Sequence, residues 1–294
     1  AAWWDRALDI IPTAGGKGTG IAHVLEAYGI DKADAMAFGD GNNDLEMFGA
    51  VCKTYYAEKL GIPAEKISVV SIMPCTAKKF EKGRPFQSAA GVPDIDHVLT
   101  TRELARLIKR KGILFNNLPD EEYDVPFGIG SGAGLIFGVT GGVMEAALRT
   151  LQDVLTGKSQ NKIDFTAVRG VEGIKEAKYV LPVNGKDTEI KVAVASSLKN
   201  AKTLMDLVKA GKADYHFIEI MTCPGGCVNG GGQPIKDAYT RNTTDIRAER
   251  AKAVYDTDKG MKLRKSHENP YVKALYEEYF DKPNSHRAHE VLHT

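Results

Sequence analysis

The sequence predicts an α/β fold with parallel or mixed sheets and flanking helices, on three observations. The first fifty residues alternate strand and helix in a βαβα order, as crossover connections to a parallel sheet require. Two apolar runs, ISVVSIMPC and YHFIEIMTC, read as buried strands that each end in Met-x-Cys. A third pair of strand-like runs flanks Asn184-Gly185, the dipeptide that favours a two-residue hairpin turn.

In chain order, a strand is expected over 7–11, a Gly-rich turn over 15–18, a helix over 19–28 and a strand over 33–38. A helix follows through 53–60, then the strand 67–72 ending at Met73-Pro74-Cys75. Residues 101–111 read as a helix, with Thr100 or Thr101 able to cap it. The run GIGSGAGLIFGVTGG leads into a helix over 143–155. Strands are expected over 165–170, 178–183 and 189–196, a helix over 198–210, and the strand 216–221 that ends near Cys223. The tail from Thr240 is polar, charged and helical. No internal repeat or low-complexity tract interrupts this order.

Composition narrows the function classes. The chain has 294 residues, 43% hydrophobic and 26% charged, which is globular and long enough for one large or two ordinary domains. A net charge of +1 gives no basis for nucleic acid or an acidic membrane surface as partner. No apolar stretch approaches the roughly 20 residues of a membrane span. The opening AAWWDRALDI carries Asp5 and Arg6 inside its apolar run, unlike a signal peptide, so a cytoplasmic location is expected. Four cysteines are too few for a disulfide scaffold.

The cysteines carry the candidate chemistry. Cys75 and Cys223 are far apart in sequence, yet each follows the C-terminal end of an apolar strand, the edge where open α/β sheets bind ligands. Cys223 and Cys227 enclose Pro-Gly-Gly and are followed by three more glycines. Such a loop can wrap a metal cluster, because glycine allows positive φ and lets backbone N–H groups face cluster sulfurs. A zinc site, with His216 nearby, and a Gly-rich turn holding structural thiols are the alternatives.

The letters around these cysteines resemble a known family. MTCPGGCVNGGGQP (221–234) resembles the last cluster-binding motif of iron-only ([FeFe]) hydrogenases, and IMPCTAKKFE (72–81) resembles the motif before it. GSGAGLIFGVTGGVMEAALRT (130–150) resembles the family's intervening Gly-rich segment, and the tail from Asn269 resembles its small-subunit-type C-terminus. The likeness runs in order from about Met47 to Thr294. It implies a [4Fe–4S] cluster joined to a diiron subcluster, the H-cluster, catalysing 2H⁺ + 2e⁻ ⇌ H₂. Cys75 and Cys223 match cubane ligands, and Cys227 matches the thiolate bridging cubane and diiron unit. Lys78 matches the lysine that hydrogen-bonds a diiron cyanide, while Lys79 is expected to face solvent or a carboxylate. Met73 and Met221 match methionines around the diiron unit, with Pro74 and Phe137 lining the pocket. Glu81 and Glu219 are expected to be structural ion-pair partners, and Cys52 to pack in the interior. Ferredoxin-like electron carriers and hydrogenase maturation proteins are the partners implied. The family's Thr-Ser-Cys-Cys-Pro motif, with a fourth cubane thiolate and a proton-relay cysteine, is not spelled in this sequence. The chain as written is therefore expected to be inactive, or to be a related non-catalytic iron–sulfur binding or assembly protein.

The first residues resemble something else. GGKGTG, with Lys17, and AFGDGNNDLEM (37–47) resemble the last two motifs of Cof-type haloacid-dehalogenase-like phosphatases. That likeness implies Mg²⁺ near Asp40, Asn43 and Asp44, with Lys17 steadying a phosphate. A Mg²⁺-dependent phosphatase is therefore a further alternative for the function, although the family's Asp-x-Asp nucleophile motif is not matched. The expected organisation is a phosphatase-like fragment over 1–47, the hydrogenase-like part over 48–239 and a small-subunit-like helical tail over 240–294. The two likenesses meet mid-element, which suggests a chimera or mis-assembled reading frame rather than a natural fusion.

Overall fold

A computed structural model describes residues 2–4, 7–9, 45–119, 129–183, 185–283 and 285–292, the first two segments and residues 45–46 by backbone alone. Strands β1 (Ala2–Trp4) and β2 (Ala7–Asp9) form an antiparallel ribbon. The second strand coincides with the start of the strand expected over 7–11, here antiparallel to its neighbour. The helix expected over 19–28, the strand over 33–38, and Lys17, Asp40, Asn43 and Asp44 lie outside the described residues.

Helix α1 (Leu45–Val51) continues through a π-helical turn at Cys52–Tyr56 into α2 (Ala57–Leu60). This rod runs together the helix that closes the expected βαβα order and the helix expected through 53–60, so the junction between the two sequence likenesses falls within it. Gly61, at φ +63°, ends it. Gly49 lets it lie directly on the chain at Asp94, whose carbonyl would be 2.5 Å from any Cβ there.

Strand β3 (Val70–Met73) pairs in parallel with β4 (His97–Thr100), aligning Met73 with Thr100. Between them lies α3 (Lys78–Glu81), and after them α4 (Thr101–Arg110). Thr100 caps α4 in a reciprocal box with Glu103, as its place before the apolar pattern predicts. Next come α5 (Gly132–Ile136) and α6 (Gly142–Thr156).

The second sheet has the order β5–β6–β7. Strands β5 (Ile174–Val183) and β6 (Lys186–Ser196) form the antiparallel hairpin that Asn184-Gly185 predicts. Helix α7 (Leu198–Lys209) then crosses over to β7 (Phe217–Met221), parallel to β6. The strand expected over 165–170 is instead a 3₁₀ turn at Thr166–Val168. Phe165 and Val168, three apart, point into the same core, which suits a three-residue period and not the alternation of a strand.

The tail forms α8 (Ala238–Thr243), α9 (Ile246–Gly260), α10 (Pro270–Leu275) and α11 (His286–Leu292). It packs back on α1 and on α6. Ala50, Val51 and Tyr55 share a core with Phe280, Ala288 and Val291. Arg149, fully buried on α6, meets Glu145 and Asp258 at 2.8 Å each, and Arg264 joins Asp258 at 2.5 Å. Arg169 and Asp164 extend the same network, with Arg169 2.6 Å from Glu145. The paired arginines hold the Asp258 carboxyl below the usual carboxylate range although burial opposes it. Among the described residues, no helix is long and apolar enough to cross a membrane.

Candidate metal centre

Strands β3 and β7 belong to different sheets, yet their C-terminal ends meet the same loop. Beyond Met73 the chain passes through Pro74 to Cys75, and beyond Met221 it enters Cys223-Pro224-Gly225-Gly226-Cys227. Gly232 donates its N–H to the Pro74 carbonyl at 3.0 Å. A Cβ at Gly230 would stand 2.1 Å from that carbonyl oxygen, and one at Gly232 would stand 2.9 Å from the Cys75 nitrogen. Only glycine permits backbone to lie on backbone so closely.

A third segment completes the cradle. Val228 donates to the Gly138 carbonyl at 2.9 Å, and Thr140 donates to the Gly225 carbonyl at 3.2 Å. Gly226, at φ +96°, would carry a Cβ 2.6 Å from the Thr140 nitrogen. The Gly225 N–H donates to Ser196 Oγ, and the Ser197 N–H donates to the Met221 carbonyl at 2.8 Å. Residues 73–75, 137–141 and 221–232 thus form one packed unit.

Cys75, Cys223 and Cys227 are half-buried and in no disulfide, whereas Cys52 is buried. Burial, and then the neighbouring Cys75, push the Cys223 thiol above its ordinary value, so these two sulfurs lie near enough to feel each other's charge. Cys52 packs with Val69, Met73, Ile95 and Val98, and burial drives its thiol up to about 12. It is a core residue, as expected. Met73, Met221 and Phe137 are buried, and Pro74 is half-buried.

Lys78 forms a 2.7 Å ion pair with Glu81, both mostly shielded from solvent. Lys79 pairs with Glu103 at 2.8 Å, so the expected carboxylate partner is found. Glu219 accepts from the Gly141 and Met144 N–H groups at 2.6 and 2.8 Å, where α6 begins. Burial pushes its carboxyl up against these bonds. Lys175 sits beside it, donating to the Thr140 and Gly170 carbonyls at 2.7 and 2.9 Å, and burial lowers its ammonium to about 8. Glu219 and Lys175 therefore fix the 138–142 segment on which the cysteine loop rests.

His216 precedes β7, opposite the end that leads to Cys223, and its Nδ1 accepts from the Lys191 N–H at 3.1 Å. It is no partner for the two cysteines in a zinc site. Among the described residues, the ligand atoms of Asp153, His267 and Glu268 lie close together, and the Lys265 ammonium sits 2.5 Å from Asp153 and 3.4 Å from Glu268. A cation already fills that centre. Sequence reasoning missed Lys175, Ser196, Arg102 and Arg250 around the loop, because no local pattern announces a side chain that reaches distant carbonyls.

The donor set suits iron and sulfide. Three cysteines stand on or beside a Gly-rich loop, and soft thiolates in Gly-rich surroundings are the donor class that holds iron–sulfur clusters.

Known proteins share this pattern. The family described as iron only hydrogenase large subunit, C-terminal domain, matches residues 43–231, and that described as iron hydrogenase small subunit matches 244–294. The haloacid dehalogenase-like hydrolase family matches 1–57, mostly outside the described residues. The NADP-reducing hydrogenase subunit HndD of Solidesulfovibrio fructosivorans is 52% identical over 85% of this chain and 41% of its own length. Iron hydrogenase 1 of Clostridium pasteurianum is 45% identical over 84% of the chain and 42% of its own length. Protein NAR1 of Arabidopsis thaliana, at 32% identity, covers 85% of this chain and 54% of its own. A variant of the Chlamydomonas reinhardtii [FeFe]-hydrogenase superposes with TM-score 0.70 at 40% identity, covering 85% of this chain and 68% of that one. The chain spans about two-fifths of the length of the two bacterial relatives.

Proposed function

Since the chain belongs to the family of C-terminal domains from iron-only hydrogenase large subunits, we propose that Cys75, Cys223 and Cys227 hold a hydrogenase-type iron–sulfur cluster. The convergence of the two Met-x-Cys strand ends on one glycine loop carries this reading. The bound group is a [4Fe–4S] cubane with a diiron subcluster, supplying electron transfer and hydrogen chemistry, 2H⁺ + 2e⁻ ⇌ H₂ in the parent enzymes. Cys75, Cys223 and Cys227 would hold that group by their thiolates. Met73, Met221, Pro74 and Phe137 keep water from the pocket. Lys78, paired with Glu81 at 2.7 Å, would supply an ammonium for a charge-assisted bond to an anionic ligand of that group. A ferredoxin-like electron carrier and hydrogenase maturation proteins are the partners, in the cytoplasm. With three thiolates assigned, the chain alone holds a cluster but does not turn over hydrogen. The three-part organisation at 1–47, 48–239 and 240–294 belongs to the same proposal.

A second reading, an iron–sulfur assembly protein, is favoured by the relatives at 27–32% identity, several of which are named as cytosolic iron–sulfur cluster assembly factors. The higher identity to hydrogenases ranks it second. Infrared spectra of the anaerobically matured chain separate the two. Carbonyl and cyanide stretching bands support the hydrogenase-type centre. A cluster chromophore without those bands supports the assembly protein, and no chromophore at all refutes both. Hydrogen evolution from a reduced viologen at the rate of an intact enzyme would overturn the proposed inactivity.

A further inference from the structure

Two arginines, distant in sequence, grip the glycine loop by its backbone. Arg102, near the start of α4, donates from Nη2 to the Gly231 carbonyl at 2.8 Å, and its own N–H donates to the Gly232 carbonyl at 3.3 Å. Arg250, in α9, donates from Nη1 to the Val228 carbonyl at 2.9 Å and from Nη2 to the Pro234 carbonyl at 2.8 Å. One planar fork therefore spans both ends of the segment 228–234. Between these anchors Gly232 is tied to Pro74, next to Cys75.

A run of three glycines has no side chains to pack and the widest backbone freedom, so something outside the loop must hold it. Neighbouring Arg247 is committed to Asp245 at 2.8 Å. Arg102 and Arg250 instead direct their guanidinium donors at loop carbonyls, keeping positive charge beside the loop. Both line an open groove of about 730 Å³ that follows its outer side. Arg250 lies within the stretch matched by the small-subunit family.

We propose that Arg102 and Arg250 are positioning residues that hold the glycine loop following Cys227, so that α4 and α9 set the geometry and the potential of the iron–sulfur site. The part concerning potential rests on the cluster proposed above; the part concerning loop geometry does not. A guanidinium near the cluster favours its reduced, more negative form.

The test uses the full chain as wild type, R250A, R250K and R102A. Hydrogen–deuterium exchange on the metal-free protein reads the loop, and redox titration after anaerobic reconstitution with iron and sulfide reads the potential. R250A should raise exchange over residues 227–236 about tenfold, with α6 unchanged, and R102A should act in the same direction. R250K should leave exchange intermediate, because an ammonium lacks the planar fork. R250K should restore a midpoint potential that falls in R250A, because it keeps the charge. Unchanged loop exchange in both R250A and R102A overturns the positioning role. An unchanged potential in R250A overturns the electrostatic role. If R250A fails to fold, R102A and R250K carry the same comparison. If the wild type takes up no cluster, the iron–sulfur reading and the control of its potential both fail, while exchange still decides loop positioning.

Discussion

Each cysteine's surroundings set its reactivity. Cys75, Cys223 and Cys227 are half-buried on loops, whereas Cys52 is in the core with its thiol pushed up to about 12. Alkylation of the metal-free chain at pH 8 should label the three and spare Cys52 until denaturant is added, which peptide mass mapping will read. Early labelling of Cys52 would show that its packing against Val69 and Ile95 is wrong. Lys175 gives a second prediction. Its ammonium is lowered by burial from 10.5 to about 8, so the unfolded chain binds more protons between those values, and the fold gains stability as pH rises through them. The gain integrates to about 3 kcal/mol at most, and K175M should flatten that rise in urea-melt stability between pH 8 and 10. At this scale much was legible. The cysteines and methionines announce themselves by their place at strand ends, and Lys79 by its neighbours. Lys175 did not, because its acceptors are backbone carbonyls that only the fold brings near.

Elements were legible where a period or a cap is local. The box at Thr100–Glu103 and the hairpin at Asn184-Gly185 are short-range signals, and both predicted elements formed. The glycine-rich run hid α5, since glycine is a weak helix former and only burial of Ala133 and Ile136 makes the helix worthwhile. The short strand β4 was missed because its pairing with β3 is non-local. The glycine loop itself yields a prediction. At Gly230 a Cβ would lie 2.1 Å from the Pro74 carbonyl oxygen, so G230A must push the two cysteine segments apart. The strain should cost about 1–3 kcal/mol in chemical denaturation and reduce reconstituted iron per chain. Alanine at Gly185, which meets nothing within 4 Å but sits at φ +76°, controls for backbone strain away from the site and should leave iron uptake intact.

For the whole molecule, the tail is structural. Its Asp258 neutralises Arg149 on α6, and its Phe280 and Val291 cover α1. Removing one partner of a buried pair strands the other's charge, so D258A should lower stability by about 3–5 kcal/mol, read as a fall in the denaturation midpoint. R149M combined with D258L, which removes both charges, should recover part of that loss; no recovery would mean that the remaining arginines and Glu145 dominate the network. None of these long-range pairs was legible in the sequence, because a tail of scattered charges reads as a solvated surface until the fold brings its acids to buried arginines. What was legible, through the motifs, was that the segments carrying Cys75 and Cys227 pack on one another.

Reconstitution of single-cysteine variants tests that meeting most directly. Wild type, C52S, C75S, C223S and C227S are each loaded anaerobically with iron and sulfide, and cluster content is measured by visible absorption and iron analysis. The predicted result is a chromophore in wild type and C52S that is lost or sharply diminished in each of C75S, C223S and C227S. A full chromophore surviving in all three of those variants would contradict a shared iron–sulfur pocket.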